Sequence, residues 1–140
     1  MTAPVRSDSL SADFRMFCYG KAVVSTFEQA KSDFLTAIEA DDHLFSSTLE
    51  FIAEWFDFTP SAFMNGHVAN SVDQNQGSCK VFALAQQLGL SQEQALRCFG
   101  EHYRDVLATP QVDNHHNLRR VLHEGLDNIT FDQFPLTLKS

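Results

Sequence analysis

The sequence predicts an α+β fold, with about five helices packed on a small, largely antiparallel sheet of two or three short strands. Three observations support this prediction. Apolar residues recur at spacings of three and four through much of the chain, which is the period of an amphipathic helix. The stretches FDFTPSAFMNG and NITFDQFPLTLK instead indicate extended segments, the first closed by an Asn-Gly turn and the second alternating with period two. A content of 44% apolar and 20% charged residues is typical of a globular protein.

Two helices are predicted in the first half of the chain. Ser25 or Thr26 can cap the first helix by accepting a hydrogen bond from its backbone. The apolar residues of this helix are Phe27, Ala30, Phe34 and Ile38. A second helix fits Ser46–Phe56. Its inward face is expected to hold Leu49, Ile52, Ala53 and Phe56.

In the middle of the chain, an extended segment is followed by a polar loop and then by a helix. Pro60 has no N–H to donate, so a strand here starts after it or lies at a sheet edge. A loop rich in Asn, Asp, Gln and Ser follows the extended segment and runs to about Gly77. From Ser78 the apolar residues return to helical spacing, and Gly89 is expected to end that helix.

The last third is predicted to contain two further helices and the remaining strands. Ser91 followed by Gln94 forms a capping box for a helix that runs without a break to about Val106. Asp113 is expected to cap the final helix and Gly125 to end it. The tail then supplies one or two short strands, and the extended middle segment is their expected partner.

Length, charge and cysteine content limit the class of protein. Residues 1–24 show no sustained period and are predicted to be a loosely ordered extension, while residues 25–140 form one domain. No apolar run approaches the ~18 residues of a membrane span, so no membrane interaction is expected. The formal net charge of −8 disfavours a nucleic-acid surface. Cys18, Cys79 and Cys98 show no close pairing pattern, which suits a reducing compartment.

Five ordered stretches of the chain carry a family resemblance. They are FDFTPSAFMNG, NQGSCKVFALAQ, LSQEQALRCFGEHYRDVL, DNHHNLR and the ITF…LTLK tail. Together they resemble the HopJ type III effector family. The resemblance implies a small α+β domain, named for members that bacteria inject into plant cells, without a settled biochemical activity. The 1–24 extension lies outside the shared domain and suits a type III secretion signal. Gln133-Phe134-Pro135 also departs from the family pattern, which has a glycine-containing turn there.

Cys79 is the candidate nucleophile. In the first turn of a helix and beside Lys80, its thiolate would be favoured by the helix dipole and by the ammonium group. A nucleophile also needs a base within hydrogen-bond reach, and His116 is the candidate that we pair with it. The other histidines considered as bases are His67, His102, His115 and His123. We favour the alternative of a buried structural cysteine, with Gly77 and Ser78 serving as turn and N-cap.

A candidate binding site surrounds the same turn. Gly77-Ser78-Cys79-Lys80 at a helix start could hold an anion through backbone N–H groups and the lysine. It is not a P-loop, because no second glycine precedes the lysine and no Ser or Thr follows it. The candidate binding residues are Asn65, Gly66, Asn75, Gly77, Ser78, Lys80, His115, Asn117 and Arg119. The alternative is that these residues form turns and helix caps only.

The histidines near the end of the chain do not predict a metal site. Residues 116 and 123 share a helix face two turns apart, too far for one ion without a ligand between them, and Arg119 and Arg120 repel cations. No metal and no cofactor are expected. The two arginines could instead form a basic docking patch with His116 and His123, for an acidic partner or for residues 39–42 of another copy. The alternative for this patch is an ordinary solvated helix exterior. Trp55 could anchor an interface, and its alternative is core packing.

Two functional hypotheses follow. The favoured one is a small non-catalytic interaction domain that acts through an unidentified protein partner, as a monomer or a weak homodimer. The alternative is a thiol-dependent hydrolase or transferase that uses Cys79 with a C-terminal histidine. A deep polar cleft between the 65–78 loop and the 113–123 helix would favour the enzyme, and a filled aromatic interface there would oppose it. The expected location is the bacterial cytoplasm, with secretion into a host cell by a type III system as a further hypothesis.

Overall fold

The structure is a computed structural model that describes residues 26–140. The chain divides into two units after Asp33, and the predicted extension over residues 1–24 lies outside the described residues. The described residues form six helices and five short strands. The helices are α1 (Phe27–Ala37), α2 (Phe45–Trp55), α3 (Gln76–Leu88), α4 (Gln92–Arg97), α5 (Glu101–Ala108) and α6 (His116–Glu124). The strands are β1 (Phe56–Phe58), β2 (Phe63–Asn65), β3 (Val68–Asn70), β4 (Ile129–Phe131) and β5 (Leu136–Leu138).

Side-chain caps mark two of the predicted helix starts. At the start of α1, Thr26 Oγ1 accepts a hydrogen bond of 3.1 Å from the backbone N–H of Gln29. At the start of α4, Ser91 and Gln94 form the predicted capping box, in which each side chain accepts the other residue's backbone N–H. These boundaries are set by short polar side chains acting within one turn of the helix.

The starts of α3 and α6 differ from the prediction. α3 begins two residues earlier than expected, at Gln76, with Asn75 as its N-cap. α6 is preceded by His115 as its N-cap, not by Asp113. Both N-cap residues have left-handed backbones, with φ of +51° at Asn75 and +53° at His115. Neither side chain caps its helix, so the rule that polar side chains mark helix starts fails at both places.

The helix predicted to run without a break from Ser91 to Val106 is divided at Gly100. Gly100 has φ +55° and ψ −123°, a conformation that glycine adopts and other residues avoid. A Cβ atom there would lie 2.5 Å from the backbone N of Phe45 and 2.8 Å from the carbonyl O of His43. The chain therefore turns between α4 and α5 because two backbone segments approach each other closely at Gly100. The spacing of the apolar residues carries no sign of this approach.

Two small antiparallel sheets confirm the predicted α+β class. β1 pairs with β5, and the second sheet has the strand order β3-β2-β4. β4 pairs with β2, inside the segment 58–65 that was predicted as the partner of the tail. β5 pairs with β1, which begins at Phe56, where the second helix was predicted to end. β3 was not predicted, because it lies within the expected polar loop. It pairs with β2 through a tight turn at Gly66-His67, and the positive φ of +62° at Gly66 suits that turn.

The core is built around α3 and a set of phenylalanine rings. The residues from Val81 to Ala85 are all buried, as expected for a helix covered on several sides. The ring of Phe82 contacts those of Phe63 and Phe99, with centroids 6.1 and 5.6 Å apart. None of the helices within residues 26–140 is long and apolar enough to cross a membrane.

α2 packs on α3 through a face that differs from the predicted one. Its buried residues are Thr48, Phe51 and Ile52, whereas Ala53 is exposed. The prediction was therefore right for Ile52 and wrong for Ala53. Trp55 is partly buried at the end of α2, where its carbonyl accepts the backbone N–H of Lys139 at 2.9 Å.

Candidate functional site

A cleft with both polar and apolar lining lies where α3, α5 and α6 begin. Its volume is about 320 Å³. Its lining includes six residues that the sequence predicted as site residues, namely Asn75, Gly77, Ser78, His115, His116 and Asn117. The cleft occupies the position, between the 65–78 loop and the 113–123 helix, at which the enzyme hypothesis expected one.

Aromatic rings complete the lining of the cleft. Phe45 and Phe99 stack with ring centroids 5.7 Å apart. The His102 ring meets Phe45 edge to face at 5.1 Å, and it lies 4.9 Å from the ring of His115. The cleft therefore has an apolar wall of phenylalanine beside a polar wall of histidine.

Asp105 orients the His115 ring. Nε2 of His115 lies 3.5 Å from Oδ2 of Asp105, which makes an ion pair when the ring is protonated. Asp105, Phe45 and Phe99 were not predicted as site residues, because their spacing indicates only helix positions. Packing brings Phe45 and Phe99 into the lining and places Asp105 against His115, and no local feature of the sequence shows that packing.

The cleft lies beside the first turns of α3 and α6. The two helices have 13 and nine residues, and neither N-cap side chain accepts a hydrogen bond from its helix. First-turn residues of both helices, including Gly77, Ser78 and Asn117, line the cleft. Because the backbone N–H groups of a first turn have no partner within the helix and the helix dipole is positive at this end, this wall favours negative charge.

A buried network of asparagine amides supports the cleft. Asn65, Asn70 and Asn117 are 1%, 4% and 5% exposed. Asn117 Nδ2 donates to Asn70 Oδ1 at 3.0 Å, and Asn70 Nδ2 donates back to Asn117 Oδ1 at 3.3 Å. Asn65 Nδ2 donates to Asn117 Oδ1 at 3.1 Å, and Asn75 Nδ2 donates to Asn70 Oδ1 at 2.7 Å. The network joins β2 and β3 to the starts of both helices. Asn65 is thus a supporting residue, and Asn70 was missed because β3 was expected to be loop.

Arg119 holds the segment that leads into α6. Its guanidinium group donates to the carbonyl and hydroxyl oxygens of Thr109, at 2.8 and 3.0 Å. It also donates to the carbonyl and side-chain oxygens of Asn114, at 2.6 and 2.8 Å. Since Asn114 immediately precedes His115, Arg119 positions the cleft histidine and is not among the residues that line the cleft.

Arg120 is also used within the fold. Its guanidinium group lies against Gly66, in the space that a Cβ atom at that position would occupy. Its Nη1 lies 3.3 Å from Oε1 of Glu124, and its side chain is 12% exposed. Both arginines of the predicted basic docking patch therefore contact residues of the same molecule, which argues against a docking role for them.

Cys79 lies in the core and not in the lining of the cleft. Because α3 starts at Gln76, Cys79 is past the first three N–H groups of the helix, and its N–H bonds to Asn75 O at 3.0 Å. The side chain is 0% exposed, with Sγ 3.7 Å from the carbonyl O of Ser61. Burial outweighs the opposing effect of the Lys80 ammonium and raises the pKa of Cys79 to about 11. The structure thus does not bring Cys79 to the cleft beside His116.

Lys80 is directed to a different part of the molecule. Its Nζ lies over the Phe58 ring, 4.7 Å from the ring centroid. Two of the predicted binding residues on the Gly77-Ser78-Cys79-Lys80 turn therefore reach the cleft, and Lys80 does not.

His43 is a buried histidine outside the cleft, 7% exposed. Its Nε2 lies 2.7 Å from Thr48 Oγ1, and the Thr48 hydroxyl donates its one proton to Cys98 O at 2.7 Å. Nε2 is therefore the donor to Thr48. Burial, assisted by the nearby Arg104, lowers the pKa of His43. Within the part of the chain that the structure describes, no group of three or more His, Cys, Asp or Glu side chains could hold a metal ion.

Comparison with known proteins agrees with the resemblance found in the sequence. A family model described as HopJ type III effector protein matches residues 31–136. The chain is also similar to a protein of unknown function, VPA0580, whose crystal structure matches with a TM-score of 0.72 and 36% sequence identity. That match covers 86% of this chain and 100% of the other. No curated protein matches the chain. Because the family model covers most of the sequence, the chain belongs to the HopJ type III effector protein family.

Proposed function

We propose that the protein is a non-catalytic binding domain and that its ligand site is the cleft at the starts of α3, α5 and α6. One observation carries this proposal. Six predicted site residues meet in the cleft, whereas the predicted nucleophile, Cys79, is buried outside it. A cleft lined by polar groups but without an accessible thiol supports binding over thiol chemistry, since the reactive form of cysteine is an exposed thiolate.

The size of the cleft limits what it can hold. A volume of about 320 Å³ is at the lower end of ligand sites in proteins, which run from roughly 300 to 1,000 Å³. The cleft can take one side chain, a chain end or a small molecule, but not a helix or a strand. We therefore propose that the protein partner inserts a single side chain or its chain end, with apolar atoms against Phe45 and polar atoms against the histidines.

Ser78→Trp tests the proposal, because it places a large ring in the cleft from the first turn of α3. Gln87→Trp is the matched control, since it puts the same ring at an exposed site on the same helix, about 13 Å farther along the axis. The probes are sodium sulfate, sodium acetate and N-acetylglycinamide, at up to tens of millimolar. The measurement is the change in the amide NMR shifts of Gly77 and Asn117.

At least one probe is expected to shift these amides in the wild type and in the Gln87→Trp control. The same probe should have no effect in Ser78→Trp, and all three proteins should melt at similar temperatures. If no probe shifts either amide in the wild type, the cleft is not a ligand site and the proposal fails.

The family name supports a proposal about location. We propose that the protein is made in the bacterial cytoplasm and that residues 1–24 direct its secretion into a host cell by a type III system. A translocation reporter fused to the full chain should give signal in host cells, and removal of residues 1–24 should abolish it. A reporter signal that persists in a strain without the secretion apparatus would contradict the proposed route.

A further inference from the structure

We infer that the group bound in the cleft is a compact oxyanion, such as sulfate, phosphate or a carboxylate, and that its binding takes up a proton onto the cleft histidines. The inference rests on the proposed function, in which the cleft is a ligand site. Two observations carry it. Two imidazole rings of the lining lie side by side, and residues of the first turns of α3 and α6 line the same cleft.

The two rings are those of His102 and His115, with centroids 4.9 Å apart. Two neutral rings pack at this distance without difficulty, but two imidazolium rings repel each other. An anion bound between them removes the repulsion, so anion and protons bind together. Asp105 contacts Nε2 of His115, which leaves Nδ1 as the nitrogen that can face a ligand. His116, exposed at the cleft, is a third imidazole that can donate.

Two carboxylates near the rings oppose an anion as long as the histidines are neutral. Glu101 accepts the backbone N–H of Phe45 at 2.8 Å, and this hydrogen bond lowers the pKa of the Glu101 carboxyl and keeps it ionised. Asp105 lies against His115. With two negative groups beside the cleft and a net charge of −8 on the chain, the unprotonated cleft has no cation with which to attract an anion. Protonation of the histidines supplies that charge.

The nearby permanent cations have other partners. Lys80 on α3 lies over Phe58, and Arg119 on α6 is bonded to Thr109 and Asn114. Arg104 on α5 donates to the carbonyl of His43 at 2.9 Å. The positive charge available to a ligand in the cleft therefore depends on pH, through His102, His115 and His116.

The neutral groups of the cleft also suit an oxyanion. Backbone N–H groups from the first turns of α3 and α6 and the hydroxyl of Ser78 can donate to oxygen atoms. The amide of Asn117 is already occupied by the asparagine network and holds its helix start in place. Donors of this kind stabilise negative charge and disfavour a cationic ligand.

Sulfate is the probe that tests the inference, because it remains a dianion between pH 5.5 and 7.5. Any pH dependence of sulfate binding then arises from ionisable groups of the protein. Amide NMR shifts of Gly77 and Asn117 give the affinity at constant ionic strength. Coupling to one histidine proton increases the affinity about tenfold from pH 7.5 to pH 5.5, and coupling to two protons increases it about a hundredfold. Calorimetric titration in two buffers of different ionisation enthalpy measures the proton uptake directly in the wild type.

Substitutions identify the histidines that take up the proton. His102→Gln and His115→Asn each remove one imidazole, and asparagine tolerates the left-handed backbone at 115. At least one of the two variants is expected to reduce the pH effect by about tenfold, which removes it if one proton is coupled and leaves about tenfold if two protons are coupled. His123→Gln is the matched control, because His123 is exposed on α6 and is not part of the lining. It should leave the pH effect unchanged.

The outcomes separate this inference from the proposed function. Sulfate affinity that is equal at both pH values, or no proton uptake in the wild type, overturns the inference. Binding of N-acetylglycinamide without binding of sulfate or acetate also overturns it, while the proposed function stands. A phosphoserine tripeptide that binds more tightly than sulfate at pH 5.5 supports the inference and assigns the oxyanion to a partner side chain. Equal affinities of the tripeptide and of sulfate support the inference and assign the site to a free ion.

Discussion

Gly100→Ala is expected to destabilise the protein by about 2–6 kcal/mol. Two effects add. The conformation at Gly100, with φ +55° and ψ −123°, is strained for a residue with a Cβ atom, which costs about 1–3 kcal/mol. The new Cβ would also lie 2.5 Å from Phe45 N, 2.7 Å from Leu44 C and 2.8 Å from His43 O. These are backbone atoms that cannot rotate away, and such overpacking costs about 1–3 kcal/mol. The loss is a large part of the ~5–15 kcal/mol that stabilises a typical domain.

Gly89→Ala is the matched control for this prediction. Gly89 also has a positive φ, +66°, but a Cβ atom there would meet nothing within 4 Å. Its replacement carries the left-handed strain of about 1–2 kcal/mol, offset by about 0.4–1 kcal/mol from the stiffer unfolded chain. Urea unfolding followed by circular dichroism gives both free energies. If the two variants are destabilised equally, the contact between Gly100 and the start of α2 does not control the turn, and the reasoning is refuted.

Three further predictions concern buried groups. The lowered pKa of His43 means that the unfolded chain protonates first as the pH falls, so stability is retained above pH 6.5 and lost below it. Urea unfolding at pH 7.5 and 5.5 should show this loss, and His43→Gln should reduce it. The thiol of Cys79, with a pKa of about 11, should react slowly with iodoacetamide at pH 8 in folded protein whose other two cysteines are serine, and quickly once unfolded. Asn117→Ala should cost about 1–3 kcal/mol in unfolding free energy, because it leaves buried amides without their partner.

Each of these predictions has a result that contradicts it. A wild-type protein that is equally stable at both pH values would show that His43 does not titrate differently in the two states. Rapid alkylation of folded Cys79 would show that the thiol is accessible and would support the thiol-dependent enzyme hypothesis. Asn128→Ala, at an exposed position, is the control for Asn117→Ala and should change stability by less than about 0.5 kcal/mol. Equal effects of the two asparagine variants would contradict the role assigned to the amide network.

Much of the fold could be predicted because its signals are local. Thr26 and the Ser91/Gln94 pair act within one turn of the helices that they start, and Gly89 ends α3 as expected. The tail likewise contains the expected short strands, β4 and β5, although the alternation around Asp132–Pro135 falls on the loop between them. Errors appeared where distant segments meet. The break at Gly100 depends on the approach of the α2 entrance, and β3 depends on pairing with β2.

The candidate site was predicted in part for the same reason. The polar turn at Gly77-Ser78 and the adjacent histidines at 115 and 116 are features of short stretches, and both stretches line the cleft. The contributions of Phe45, Phe99 and Asp105 could not be predicted, because nothing in the neighbouring sequence distinguishes them from other core or surface residues.

Sequence patterns alone were enough to predict the family, the α+β class, most helical segments and the two stretches that carry the cleft. These follow from periodicity, capping residues and ordered motifs, which act over a few neighbouring residues. Packing between distant elements is needed to show that Cys79 is buried, that Arg119 and Arg120 are used inside the fold, and that three histidines share one cleft. The physical reason is that burial, electrostatic environment and ring contacts depend on which elements pack together, and residues far apart in the chain supply those elements.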